Sequence, residues 1–127
     1  ALHDDTNTIP TWLQEAVSSY VSVLNDCAYS YANHWKNAAH LIGDADRAGE
    51  IETALQARKP EQAFEGAELA LMRYAEKLTL SPGDMVEADV GAILEANQII
   101  CYFNYVNRSI NGLGVTTAGD IVGYYAD

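Results

Sequence analysis

Apolar residues in this chain recur at helical spacing, and no alternating run bounded by hairpin turns competes with them. Trp12, Ala16, Tyr20, Val23 and Leu24 form one stripe, preceded by "TWLQ", in which Thr11 and Gln14 are spaced as a capping box. This predicts a first helix running to about Asn25. Asp26 is placed to cap a second helix from Cys27 to about Ile42, with Gly43 as its stop. Asp44 opens a third helix through "DRAGEIETALQA", and Pro60 restarts the chain. Beyond it, Phe64, Ala67, Leu71, Tyr74, Ala75 and Leu78 share a face. "SPGD" reads as a turn or a cap. A long apolar-rich helix is expected from Met85 to Asn111, stopped by Gly112 and Gly114, with a glycine-punctuated tail after it. The fold class that follows is all-α. No internal repeat or linker divides the chain, so residues 1–127 read as a single domain.

The composition narrows the function classes. The chain has 127 residues, 49% of them hydrophobic and 20% charged, enough to bury one sizeable core. Eighteen acidic residues against seven basic ones give a net charge of −11, which repels phosphate backbones and anionic membranes. Nucleic acid and membrane surfaces are therefore not expected partners. No apolar run reaches the ~18 residues of a membrane span. The opening "ALHDDTNTIP" lacks the basic and apolar regions of a signal peptide. Two cysteines, Cys27 and Cys101, are too few for a disulfide framework and fit a reducing, cytoplasmic setting.

The stretch "NDCAYSYANH" carries the chemistry. A cysteine at a helix start meets free N–H groups and the positive end of the macrodipole, which favour thiolate. Ser30 follows Cys27 by three residues and His34 follows Ser30 by four, so the last two side chains can meet. His34 is suited to relay a proton, and Glu15 on the preceding helix can orient it if the two helices form an antiparallel hairpin. Each residue also has a plain reading. The thiol can be a small hydrophobe, the imidazole structural and the carboxylate a solvated acid. His3 and His40 have no ligand partner by spacing, and no metal-binding pattern appears.

Taken together, Glu15-x11-Cys27-x2-Ser30-x3-His34 resembles the signature of the AhpD-like (alkylhydroperoxidase D) and carboxymuconolactone decarboxylase superfamily, Glu-x11-Cys-x2-Cys-x3-His. "YVSVLNDCAYSYANH", "LMRYAEKLTLSPGDMVEADV" and "ILEANQIICYFNYVNRSINGLGV" are similar to its peroxidase-related branch, over most of Gln14 to Val115. The resemblance implies an all-α helical bundle whose subunits assemble as homo-oligomeric trimers or hexamers. It also implies a hydroperoxide substrate and a lipoyl-type dithiol reductant, with no bound cofactor. By position, Cys27 is the resolving cysteine, Ser30 occupies the peroxidatic position, His34 is the relay base and Glu15 orients it.

The chain departs from that pattern in ways that bear on activity. Serine at position 30 cannot be oxidised to a sulfenic acid or enter a disulfide. Tyr29 and Asn33 stand where some members carry histidine. The resemblance implies a further N-terminal segment and a longer stretch around 87–94 than this sequence shows. The expected function is thus an antioxidant thiol-peroxidase scaffold with CxxS in place of CxxC, either impaired in this form or a Cys-to-Ser variant of a two-cysteine peroxidase. The alternatives are a lactone-decarboxylase-like or other proton-transfer enzyme using Glu15 and His34, and a non-catalytic oligomeric binding protein. A Ser30–His34–Glu15 hydrolase lacks any visible nucleophile elbow or oxyanion motif.

Outside the motif, Cys101 sits among Ile99, Ile100, Tyr102 and Phe103 and is expected to be a buried, inert thiol. It can pair with Cys27 only if their Cα atoms come within about 7 Å. Tyr102, Phe103 and Tyr105 read as core or subunit contacts. Asn104, Asn107 and Arg108 read as hydrogen-bonding support for helix packing, with Arg108 alternatively facing the site as an anion attractor.

Overall fold

The computed structural model describes residues 9–86 and 94–115, and these are helical throughout their regular structure, confirming the all-α class. The helices are α1 (Thr11–Leu24), α2 (Ala28–Ile42), α3 (Ala45–Gln56), α4 (Gly66–Leu80) and α5 (Leu94–Leu113). Short 3-10 turns at Pro60–Gln62 and Pro82–Asp84 lead into and out of α4. No helix among the described residues is long and apolar enough to cross a membrane.

Helix α1 is the centre of the bundle, packed against α2, α3, α4 and α5. Every residue from Leu13 to Ser22 is buried, so the helix is enclosed on all sides rather than along the one stripe its apolar spacing suggests. Val17, Tyr20 and Val21 join Ile51, Leu55, Met72, Ile99, Ile100 and Phe103 in one core. Each such side chain contributes roughly 1.5–3 kcal/mol on burial. Of the predicted α4 face, Leu71, Tyr74 and Ala75 are buried, Leu78 is half-buried and Ala67 is exposed.

Three helix ends differ from expectation, for local reasons. The Thr11–Gln14 capping box does not form: Thr11 is already helical, Pro10 takes the cap position, and Gln14 Nε2 donates to Ile9 O at 2.7 Å. Asp26 does not cap α2. Its backbone is left-handed, with φ 52, because it closes α1: Asp26 N donates to Val23 O and Cys27 N to Ser22 O. This is the Schellman arrangement, with an aspartate where glycine is usual. The last helix, expected from Met85, is described from Leu94 onward, and Met85 itself is extended. Residues 87–93, and the tail from residue 116, lie outside the described residues. Gly112 lies inside α5, and Gly114, with φ 70, ends it.

Other signals hold as read. Gly43, with φ 73, ends α2, and Asp44 caps α3 by accepting from Asp46 N and Arg47 N. Helix α3 closes as α1 does, with Arg58 left-handed at φ 58, Arg58 N donating to Leu55 O and Lys59 N to Ala54 O. The two left-handed residues then meet, Arg58 Nη2 lying 3.2 Å from Asp26 Oδ1 and donating to Val23 O at 3.1 Å.

Two phenols tie outer helices to the core. Tyr20 on α1 donates to Glu76 on α4, and Tyr31 on α2 donates to Glu52 on α3 at 2.7 Å. Burial first, and then the carboxylate acceptor, push both phenols above the ordinary value of 10.0. The folded chain therefore keeps these protons after the unfolded chain has released them. Their contribution to stability is complete below pH 10 and declines as pH rises above it. Urea denaturation followed across about pH 8 to 11 should show that decline, and Tyr20→Phe together with Tyr31→Phe should flatten it.

Candidate functional site

The Schellman turn at Asn25–Cys27 hands the chain directly from α1 to α2. Cys27 is both the residue that closes α1, through its N–H, and the N-cap of α2, through its C=O, which accepts from Tyr31 N. It therefore lies one position earlier than the first-turn placement expected of it. The α1–α2 hairpin is antiparallel and closely packed, and it brings Glu15 near one end of α1 opposite His34, two turns into α2.

His34 Nδ1 and Glu15 Oε2 are 2.6 Å apart. Glu15 is 4% exposed, so this carboxylate is buried rather than solvated. A carboxylate offers only lone pairs, so Nδ1 is the donor in this bond and Nε2 is the ring nitrogen not engaged by Glu15. The edge of a second ring braces the imidazole: Phe103 of α5 lies 4.5 Å away between centroids, at 79°. His34 is thus held on two sides, by charge and by packing.

Ser30 is buried within the first turn of α2, and its hydroxyl is 2.8 Å from the hydroxyl of Ser22 on α1. Among the described residues no hydrogen bond joins Ser30 to His34. Both line one cavity of about 370 Å³, with Tyr29, Asn33, Asn37, Val106 and Ile110 completing its wall. Cys27 instead lines a different cavity of about 340 Å³, with Ser22, Val23, Asp26, Ala28, Tyr31 and Gln56. The four motif residues therefore cluster at the α1–α2 hairpin, but Ser30 and His34 face one space, Cys27 faces another, and the buried Glu15 lines neither.

Helix α5 forms the far wall, and asparagines fix its position. Asn25 Nδ2 lies 3.0 Å from Asn104 Oδ1 and 3.3 Å from Asn107 Oδ1, while Asn111 Nδ2 donates to Asn25 O at 2.9 Å. Asn104 also donates to Thr79 Oγ1 on α4 at 3.0 Å. Packing support is thus the role of Asn104 and Asn107. Arg108 is exposed and does not line the His34 cavity.

Cys101 contradicts expectation. Its side chain is exposed, near Asn97 Oδ1 at 3.8 Å, because α5 turns Ile99, Ile100 and Phe103 inward and this position outward. Both cysteines are free, and Cys27 is buried. Tyr102 and Tyr105 are likewise exposed, at 50% and 64%. Among the described residues no group of His, Cys, Asp and Glu is arranged to hold a metal ion.

Sequence reasoning missed Ser22, Phe103, Val106 and Ile110. A signal for Ser22 was present: Glu15, Ser18, Ser19 and Ser22 recur at spacings of three and four, which puts a polar face on a helix otherwise apolar. The α5 residues carry no such signal, because only the tertiary crossing brings them to α2.

No protein-family model matches the chain, and no curated protein matches it. Its fold is similar to the crystal structure of an uncharacterized peroxidase-related protein from Silicibacter sp. TM1040, with a TM-score of 0.78 at 18% identity. The superposition covers 91% of this chain and 63% of that one, so the chain spans less than two thirds of that protein's length. The likeness establishes a fold shared with a peroxidase-related protein.

Two outcomes follow from this geometry. A maleimide should modify Cys101 promptly in the native protein and Cys27 only on unfolding, as read by peptide mass spectrometry. His34→Ala leaves the buried Glu15 carboxylate without its imidazole. It should lower the unfolding free energy by about 1–3 kcal/mol, more than loss of the exposed Arg47–Glu50 pair.

Proposed function

We propose that this chain is an alkylhydroperoxidase-like scaffold of the AhpD and carboxymuconolactone decarboxylase superfamily, a single domain with its proton-transfer pair in place and its peroxide-attacking sulfur replaced by oxygen. The observation that carries the reading is the bond between Glu15 and Nδ1 of His34, whose ring lines one cavity with Ser30. The fold shared with a peroxidase-related protein supports it. Glu15 orients the imidazole, His34 Nε2 takes or returns a proton, and Val106 and Ile110 supply an apolar wall for the organic part of a hydroperoxide.

With a thiol at position 30 the chemistry closes. The thiolate attacks the peroxide oxygen, the O–O bond breaks, the alcohol leaves with a proton from the imidazole, and a sulfenic acid remains. The Cys27 sulfur then attacks that sulfenic sulfur and water leaves, forming a disulfide that a lipoyl-type dithiol reduces. A hydroxyl performs neither step, so the present chain stops before the first. In this reading the subunit works in the cytoplasm as a homo-oligomer, a trimer or hexamer.

A second reading draws on the same pair. Glu15 and His34 need no sulfur to move a proton next to a carbonyl, so a decarboxylase-like reaction suits a site whose residue 30 is a hydroxyl. The Ser30 hydroxyl is bonded to Ser22 rather than to His34, which argues against serine as an activated nucleophile.

Hydroperoxide turnover with a regenerated lipoyl dithiol separates these readings. Ser30→Cys should gain activity that the parent chain lacks, and adding His34→Ala should reduce it by about 10²–10⁴-fold. Activity in neither would overturn the peroxidase reading and favour proton transfer or ligand binding.

A further inference from the structure

We propose that Ser22 is a further positioning residue of this site: its buried hydroxyl holds the side chain of residue 30 and is the donor that stabilises negative charge there. The proposal rests on the peroxidase reading for its role in turnover, but on geometry alone for the interaction. Ser22 Oγ lies 2.8 Å from Ser30 Oγ and 2.8 Å from Ser18 O, and Ser22 is 0% exposed. It lines the Cys27 cavity, whereas Ser30 lines the His34 cavity, so the pair stands in the partition between the two.

Counting protons gives the mechanism. Ser22 has one hydroxyl proton and two acceptors within reach. The Ser18 carbonyl already receives a backbone N–H along α1, so losing the Ser22 proton does not leave it bare. A neutral hydroxyl at position 30 brings its own proton and can donate to Ser22 Oγ. An anionic sulfur there has none to give, and the Ser22 proton turns toward it. Such a bond, shielded from water, is stronger than one between neutral partners. Ser22 would thereby raise the thiolate fraction at position 30, from the side opposite His34.

The test is the pH profile of alkylation of the thiol introduced by Ser30→Cys, in a Cys27→Ala background, followed by peptide mass spectrometry. Ser22→Ala should move the midpoint up by about one pH unit, slowing alkylation roughly tenfold at pH values below it. The isosteric pair Ser22→Thr and Ser22→Val removes any confusion with packing. Threonine should keep the parent midpoint and valine should shift it as alanine does. An unchanged midpoint in Ser22→Val, or an equal shift in Ser22→Thr, would overturn the proposal. Failure of Ser30→Cys to turn over hydroperoxide would sink the peroxidase reading while leaving this titration result standing.

Discussion

Enclosing α1 on every side is the constraint from which the rest of the structure follows. A helix buried from Leu13 to Ser22 is pressed to partner the polar side chains it carries, since an unmade hydrogen bond there costs about 1–3 kcal/mol, and Gln14 Oε1 is left without one among the described residues. Ser18, Ser19 and Ser22 meet the requirement within the helix, each hydroxyl reaching a carbonyl four residues back. Glu15 needs a partner from outside, and His34 comes to it. Tyr20 uses Glu76. The candidate site is therefore the place where the central helix satisfies its polar face against α2. The bond that satisfies a buried carboxylate is also the one on which the proposed proton transfer would rest.

The hairpin that delivers α2 depends on backbone geometry as much as on side chains. Asp26 and Arg58 both adopt left-handed backbone to close α1 and α3, a conformation that disfavours residues with a Cβ. They lie beside each other, and Arg58 also reaches the Val23 carbonyl at the exposed end of α1. An ion pair this exposed is worth little by itself. Its contribution is to hold two turns together, one of which presents Cys27 at the start of α2. The asparagines of α5 grip the same turn from the other side.

What could be read in advance follows from how local each signal is. Gly43, Asp44 and Gly114 announce helix ends because glycine and a short acceptor side chain act within one turn. The closure of α1 at Asp26 was hidden because aspartate there looks like an N-cap, its commoner role. Cys101 was misjudged because an apolar neighbourhood in sequence gives no phase, and α5 turns that position outward while Phe103 faces in. The pairing of Glu15 with His34 was legible from residue type and spacing, given an antiparallel hairpin. The division of Cys27 and Ser30 between two cavities was not legible. It depends on where α5 and α3 wall off the space, and no pattern within α1 or α2 encodes that.

Serine at position 30 also has a structural consequence that cysteine would not. A thiol is a weak hydrogen-bonding group and tolerates burial as a small hydrophobe. A buried hydroxyl does not, and a vacant partner would cost about 1–3 kcal/mol. Ser22 supplies that partner at 2.8 Å from the opposing helix. The interior therefore accepts oxygen at this position without penalty, while the imidazole and carboxylate beside it remain bonded to each other. On the proposed peroxidase reading, oxygen in place of sulfur here would remove the redox step while leaving the packing and hydrogen bonding around it coherent. On that same reading, residue 30 is the position that would decide whether the site can carry out redox chemistry.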